Sequence, residues 1–274
     1  MAPRQRRTAA RTVYDHLDRH GTIENYTAIK ERVFDGPGIG LCGVDDTASA
    51  QMFARKTAQN PARRMIPISV GTPPGNGVAA PPQGNGITVA PDGFLHDNAF
   101  RSDNAPPFSL ADLPTLRGAH NHQHAAFAYA TARACGCDPM AIHNAMKTYP
   151  GLPHRQLRVA TIGTVDYIND SKATNADATE KALKTFDDMY WIVGGLQQAG
   201  ALSGLAPHVP RIARTEFIGS SRHDFARFME AHNIPYEQSE TLDRAVQSAH
   251  RDAQADPNSA TVLLSPACAS YDQF

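Results

Sequence analysis

The chain has 274 residues, enough for two ordinary domains with real cores. Hydrophobic residues make up 41% and charged residues 19%, a globular balance that excludes a disordered chain. The formal net charge of -1 excludes bulk attraction to nucleic acid or to an anionic membrane, and no apolar stretch is long enough to span a bilayer.

Charge is lopsided only at the start, where Arg4, Arg6, Arg7 and Arg11 occur with no acid. A solvated, frayed tail is expected there. A nucleic-acid arm would want an aromatic or fold signal that this stretch lacks. No apolar run follows the arginines, so they do not open a secretion signal. The cysteines are Cys42, Cys135, Cys137 and Cys268. The single residue between Cys135 and Cys137 is not a zinc-knuckle spacing. Reduced thiols and a cytoplasmic address follow as expectations.

Asp15 to Phe34 reads as helical, with Tyr26, Ile29, Lys30 and Val33 at helical spacing. Ile39 to Val44 reads as a buried strand, Thr47 to Thr57 as a helix and Met65 to Val70 as a strand. From Gly71 to Pro107 the chain is rich in Pro, Gly and Asn. Loops are expected there, with one hairpin: Ile87–Val89 and Phe94–His96 as strands, Pro91-Asp92-Gly93 as the turn. Helices resume at His122 to Cys135 and at Pro139 to Lys147, the latter with Pro in its first turn. Tyr149-Pro150-Gly151-Leu152-Pro153 breaks the pattern, and the domain boundary is put there.

Beyond it, apolar runs at Val165–Ile168, Tyr190–Val193, Glu216–Ile218 and Thr261–Leu264 alternate with helical patterns. These lie at Ala176–Thr185, Asp224–Ala231 and Leu242–Ala253. Such alternation predicts an α/β domain with a mostly parallel sheet. Ligands of such domains gather at the carboxyl ends of the strands.

The most informative segment for chemistry is therefore Tyr167 to Asn175, where a strand runs into a polar loop that opens a helix. Thr174 followed by Asp177 has the form of a capping box. A helix start offers unpaired backbone N–H groups to an anion. Asp170 suits a hydroxyl and Lys172 a phosphate; by composition alone an ordinary cap with a surface ion pair is the stronger reading of the loop. Gly151 to Arg155 lies at the boundary, where clefts often form. Arg155 could pair two phosphate oxygens, or simply a linker carboxylate.

His16 and His20 are four apart on one helix face, a possible metal pair. The Glu that a zinc-protease motif places directly after the first His is absent. His120, His122 and His124 do not share one helical face. After the last strand, Ser265 to Ser270 are small residues that let backbone approach a ligand. Cys268 has no evident histidine partner to activate it. No Gly-Lys dipeptide occurs anywhere, so the phosphate-cradling P-loop is absent from these residues.

Together these stretches resemble the Mur ligases, and within them the D-glutamate-adding branch. The matches are Asp15 to Gly21, Leu116-Arg117-Gly118-Ala119-His120-Asn121, Gly151 to Arg155, Asn169 to Asn175, and Leu264 to Phe274. They occur in family order and span nearly all of residues 14–274. The resemblance implies part of a central ATPase domain over residues 13–150. It implies a Rossmann-like C-terminal domain over 151–274, and leaves residues 1–12 as an unrelated basic tail. It implies ATP and Mg2+ as cofactors, with UDP-N-acetylmuramoyl-L-alanine and D-glutamate as substrates. The reaction implied is amide formation through an acyl phosphate in peptidoglycan precursor synthesis, which depends on positioning and on neutralising phosphate charge.

By the same resemblance His16 is a magnesium ligand. Lys30 takes the place of a lysine that becomes carbamylated and holds a second magnesium. Asn121, Arg155, Asp170 and Lys172 are nucleotide contacts, with His124 at a family adenine contact. Thr174, Ser270 and the backbone at Tyr271 are D-glutamate contacts, and His154 lies near the site. Lys30, Lys172 and Arg155 carry the catalytic assignment.

Two departures stand out. His124 replaces an asparagine, and Gln198 replaces a lysine that would hold the D-glutamate carboxylate. Loss of that charge-assisted bond costs about 1.5–3 kcal/mol of binding. The chain is expected to be a truncated, monomeric member that is inactive alone. A non-catalytic module retaining nucleotide or D-glutamate contacts is the alternative. A hydrolase built on the histidines is disfavoured by the missing Glu.

Overall fold

The computed structural model describes residues 7–9, 21–71, 85–100, 107–195, 202–219 and 222–268. The chain divides into two compact units, Met1–Tyr149 and Pro150–Phe274.

The first unit is built on a sheet in the order β1-β2-β3-β4-β5-β6. The strands are β1 (Arg7–Ala9), β2 (Gly40–Gly43), β3 (Met65–Val70), β4 (Ile87–Val89), β5 (Phe94–Asp97) and β6 (Phe108–Ser109). Neighbours from β1 to β4 are parallel, and β4-β5 and β5-β6 are antiparallel. The expected hairpin is present, with Val89 opposite Leu95 and Gly93 at φ 86° in its turn. One face carries α3 (Ala119–Ala134), whose Ala125, Ala126, Tyr129 and Ala130 pack on Leu41, Ile66, Ile68, Ile87 and Val89. A smaller cluster of Phe34, Cys42 and Met52 joins β2 to α2 (Thr47–Gln59). Apolar residues cover both sides of the parallel strands, which explains their unbroken apolar runs. α4 (Pro139–Lys147) closes the unit behind an Asp138 cap.

Two sequence expectations are corrected here. Arg7–Ala9 is not a frayed end: it pairs in parallel with β2, Arg7 opposite Gly40. Backbone pairing of an open sheet edge does not depend on side-chain charge. The helix expected from Asp15 does not run through Gly21. That residue has φ 75°, and the extended Thr22 starts a fresh helix, α1 (Ile23–Glu31), by accepting from the Asn25 N–H at 3.2 Å. A 3₁₀ turn over Arg32–Phe34 ends it.

A buried ion pair ties β5 to α3. Asp97 and Arg133 side chains are 4% and 7% exposed, at 3.1 Å. Asp97 also accepts from the Tyr129 hydroxyl and from the backbone N–H groups of Ala99 and Phe100.

The second unit has the sheet order β11-β10-β9-β12-β8-β7. Its strands are β7 (Leu157–Ile162), β8 (Val165–Asn169), β9 (Met189–Gly194), β10 (Ile212–Ile218), β11 (Tyr236–Glu240) and β12 (Ala260–Leu264). All pairs are parallel except β7-β8. Alternate side chains of β9 serve opposite cores. Met189, Trp191 and Val193 meet α5 (Ala176–Leu183) and α6 (Arg222–Ala231). Tyr190 and Ile192 meet Ala245, Ala249 and Ala253 of α7 (Leu242–Ala255). Helices thus cover both faces, and the α/β expectation holds.

Two strands of this unit escaped the sequence reading. β7 is an edge strand whose apolar residues are interrupted by Arg158 and Thr161 and which turns back at Gly163, φ 61°. β11 reads Tyr-Glu-Gln-Ser-Glu, the polar composition that blunts a sheet edge. A 3₁₀ segment over Leu202–Arg211, with Leu205 and Val209 in the core, was also not foreseen.

Candidate functional site

In the second unit the chain moves outward along β8, β9, β10 and β11, then returns to insert β12 between β8 and β9. The reversal brings three strand ends together at the carboxyl edge, where ligands of open α/β sheets bind. Backbone bonds knit them. Asp170 N–H donates to Leu264 O at 2.8 Å, Ser265 N–H to Ile192 O at 3.1 Å, Gly194 N–H to Pro266 O at 3.0 Å and Ala267 N–H to Ala173 O at 2.9 Å. Gly194 is required here. Its φ is 131°, and a Cβ would collide with the Ile218 carbonyl.

The turn holding Arg155 belongs to this edge. Lys172 N–H donates to His154 O at 3.1 Å, and Gln156 N–H donates to Asp170 Oδ1 at 3.1 Å. His154 Nδ1 lies 3.3 Å from the Asn169 amide nitrogen. His154 and Gln156, on either side of Arg155, have φ 65° and 47°, and Ala267 has φ 56°. Left-handed non-glycine residues are uncommon and held in place at a cost, often at ligand sites. His154, Arg155, Lys172 and Thr174 are exposed. Two cations therefore stand on loops fastened directly to each other.

Asp170 is different. It is 6% exposed, with Oδ1 held by Gln156 N–H and Oδ2 by the Ser265 hydroxyl at 3.0 Å. Burial pushes its carboxyl up to about 6, against the opposing hydrogen bonds from Ser265 and Gln156 and the charges of Arg155 and Lys181. The carboxylate faces inward and braces the loop. Ser265 and Gln156 were not singled out from sequence. Only the insertion of β12 beside β8 makes Ser265 a neighbour of Asp170.

The capping box expected at Thr174 is also corrected. The N-cap of α5 is Asn175, whose side chain accepts from Ala178 N–H at 2.8 Å. Asp177 instead pairs with Lys181 at 2.6 Å. Thr174 is left outside the cap, exposed on the loop.

In the first unit, Asn121 donates from its side chain to Arg117 O at 2.8 Å. This braces the start of α3 after Gly118, φ 87°. His124 is exposed, with its ring edge-on to His120 at 6.3 Å. Lys30 lies with its ammonium over the Tyr26 ring, 4.7 Å from the centroid. Asp45, at the carboxyl end of β2, joins Val70 N–H and the Gln123 side chain. Sequence reasoning missed both Asp45 and Gln123, although Val44-Asp45-Asp46 after a strand was a usable signal. Cys42 is buried, and its thiol is pushed up to about 12, so it stays protonated at neutral pH. Cys268 is likewise fully buried. His16, Gln198, Ser270 and Tyr271 lie outside the described residues. Among the described residues no three His, Cys, Asp or Glu side chains converge as a metal-binding group.

No family model matches the chain. Individual relatives do. A UDP-N-acetylmuramoylalanine–D-glutamate ligase from Chelativorans sp. (strain BNC1) is 44% identical over 262 residues, covering 95% of this chain and 53% of the relative. The enzyme of the same name from Rhizobium johnstonii is 42% identical over 261 residues, covering 95% and 53%.

The chain belongs to the Mur ligase family.

It spans about half the length of the curated relatives it matches. Its fold is shared with solved Mur ligases at low sequence identity. The UDP-N-acetylmuramate–alanine ligase MurC of Thermotoga maritima has a TM-score of 0.63 at 12% identity, covering 95% of this chain and 56% of that one. MurF of Acinetobacter baumannii gives 0.62 at 16%, covering 94% and 56%. The bifunctional folylpolyglutamate synthase/dihydrofolate synthase of Yersinia pestis, solved with AMPPNP and manganese, gives 0.61 at 19%, covering 94% and 57%.

Proposed function

We propose that this Mur ligase chain carries nucleotide and D-glutamate contacts of a UDP-N-acetylmuramoyl-L-alanine–D-glutamate ligase. The observation that carries the reading is the fastening of the Arg155 turn to the Lys172 loop at the carboxyl edge of the second sheet. Two exposed cations on a shared, strained support suit a polyphosphate. In this reading Arg155 and Lys172 neutralise phosphate oxygens, and Thr174, Ser270 and the Tyr271 backbone receive D-glutamate. Asp170 serves by holding the two loops together. Asn121 and His124 are nucleotide contacts by family resemblance, and His154 borders the Arg155–Lys172 loops. Residues 13–150 correspond to part of the ATP-binding domain and 151–274 to the C-terminal domain.

ATP would supply the phosphoryl group that activates the substrate carboxylate. His16 and Lys30, the latter once carbamylated, would hold magnesium. Without a Gly-Lys phosphate cradle in the sequence, the 274 residues alone are expected to bind without turnover. A cytoplasmic monomer is part of the same proposal.

The test is calorimetric titration of the chain with ADP. Lys172→Ala and Arg155→Ala are each expected to weaken binding about tenfold or more, the worth of a lost charge-assisted bond. ADP affinity unchanged in both variants would defeat the reading. Phosphate release dependent on D-glutamate from the chain alone would defeat the expectation of inactivity.

A further inference from the structure

We propose that the Ser265 hydroxyl is a positioning residue that locks the Lys172 loop to the Arg155 turn. This rests on the reading of those two cations as phosphate contacts. Ser265 is fully buried. Its Oγ lies 3.0 Å from Asp170 Oδ2 and 3.0 Å from Thr179 Oγ1. Thr179 is also fully buried, and its hydroxyl donates to Ala173 O at 3.4 Å. Asp170 Oδ1 takes the Gln156 N–H. A line of polar groups therefore runs from Gln156 through Asp170, Ser265 and Thr179 to Ala173. Both its ends lie one residue from a proposed ligand contact: Arg155 precedes Gln156, and Lys172 precedes Ala173.

Ser265, the residue just after β12, is the one member of this line from that end of the chain, and its carbonyl also takes the Trp191 indole N–H at 2.8 Å. The hydroxyl has a single proton. With Asp170 ionised it donates to Oδ2, and the single Thr179 proton goes either to Ser265 or to Ala173 O. With Asp170 protonated the carboxyl can donate to Ser265, which turns to Thr179, and Thr179 donates to Ala173 O. In both states every group of the line has a partner, which is what a buried polar network requires. An alanine at 265 supplies neither arrangement, and it leaves Asp170 Oδ2 buried without this donor.

The experiment uses the full chain, isotopically labelled. Amide exchange at Gln156 and Lys172 is followed by NMR, with the Asp170 carboxyl carbon followed against pH. Charged groups facing Asp170 are Arg155 and Lys181, and neither is altered. Ser265→Ala is expected to speed exchange at both amides about tenfold, leave the β9 amides unchanged, and move the Asp170 midpoint upward. Ser265→Cys, with a weak donor in similar volume, should restore part of each effect. Loss of packing alone would not move the carboxyl titration. Lys172→Ala should leave exchange and titration as in the unaltered chain while weakening ADP binding. If Ser265→Ala leaves the two amides and the titration unchanged, the inference fails. If those shifts occur but the unaltered chain binds no ADP, the ligand reading fails and the positioning role stands.

Discussion

Replacing Asp170 by Asn is expected to raise the stability of residues 150–274 by about 3 kcal/mol above pH 7. In the folded chain the carboxyl sits at about 6, above its ordinary 3.8, chiefly because burial penalises the ionised form. An acid with a raised folded-state pKa binds its proton more tightly when folded. Its contribution to stability is therefore neutral below about pH 4 and becomes a growing penalty as pH rises to about 6. Above that the penalty is complete. Asn has no charge to bury. Its carbonyl can accept from Gln156 N–H, and its amide can donate to Ser265, which then donates to Thr179. Urea unfolding of both chains between pH 4 and 8 checks this. The gain should vanish near pH 4, and a gain of the same size at every pH would contradict the stated cause.

Asp97→Ala is expected to cost the first unit about 3–5 kcal/mol. The carboxylate is 4% exposed and accepts four donors: Arg133 Nε, the Tyr129 hydroxyl, and the N–H groups of Ala99 and Phe100. Alanine removes the counter-charge of a guanidinium that is 7% exposed and takes the acceptor from a buried tyrosine. Asp97→Asn keeps an acceptor but not the charge, so its loss should be smaller. Unfolding followed by hydrogen exchange of β3 and α3 amides would measure both. A loss below about 1 kcal/mol for the alanine variant would mean that the pair behaves as a surface ion pair.

Much of the fold was legible because its signals are local. The alternation of β8, β9, β10 and β12 with helices is written in their apolar periods, and the β4-β5 hairpin in Pro91-Asp92-Gly93. β7 and β11 were missed because an edge strand buries too little to need an apolar run. Their pairing energy lies in backbone groups that composition does not reveal. The start of α3 was misplaced by a few residues, at His122 rather than Ala119, and the cap of α5 by one, at Thr174 rather than Asn175. Several residues could cap equally well, and packing decided between them.

The site shows the same division. From its residue types alone the chain declared an α/β fold, the Arg155 and Lys172 segments, and a likeness to the Mur ligases. These depend on local chemistry and on order along the chain. Only the tertiary structure made Ser265 a partner of Asp170 and Gly194 a neighbour of Ile218. It also gave Glu216, 1% exposed within what reads as an apolar strand, the company of Ser239 and Ser248. Such contacts join residues far apart in sequence. Whether a buried charge is tolerated depends on which donors the fold brings to it, and no stretch of sequence read by itself contains that information.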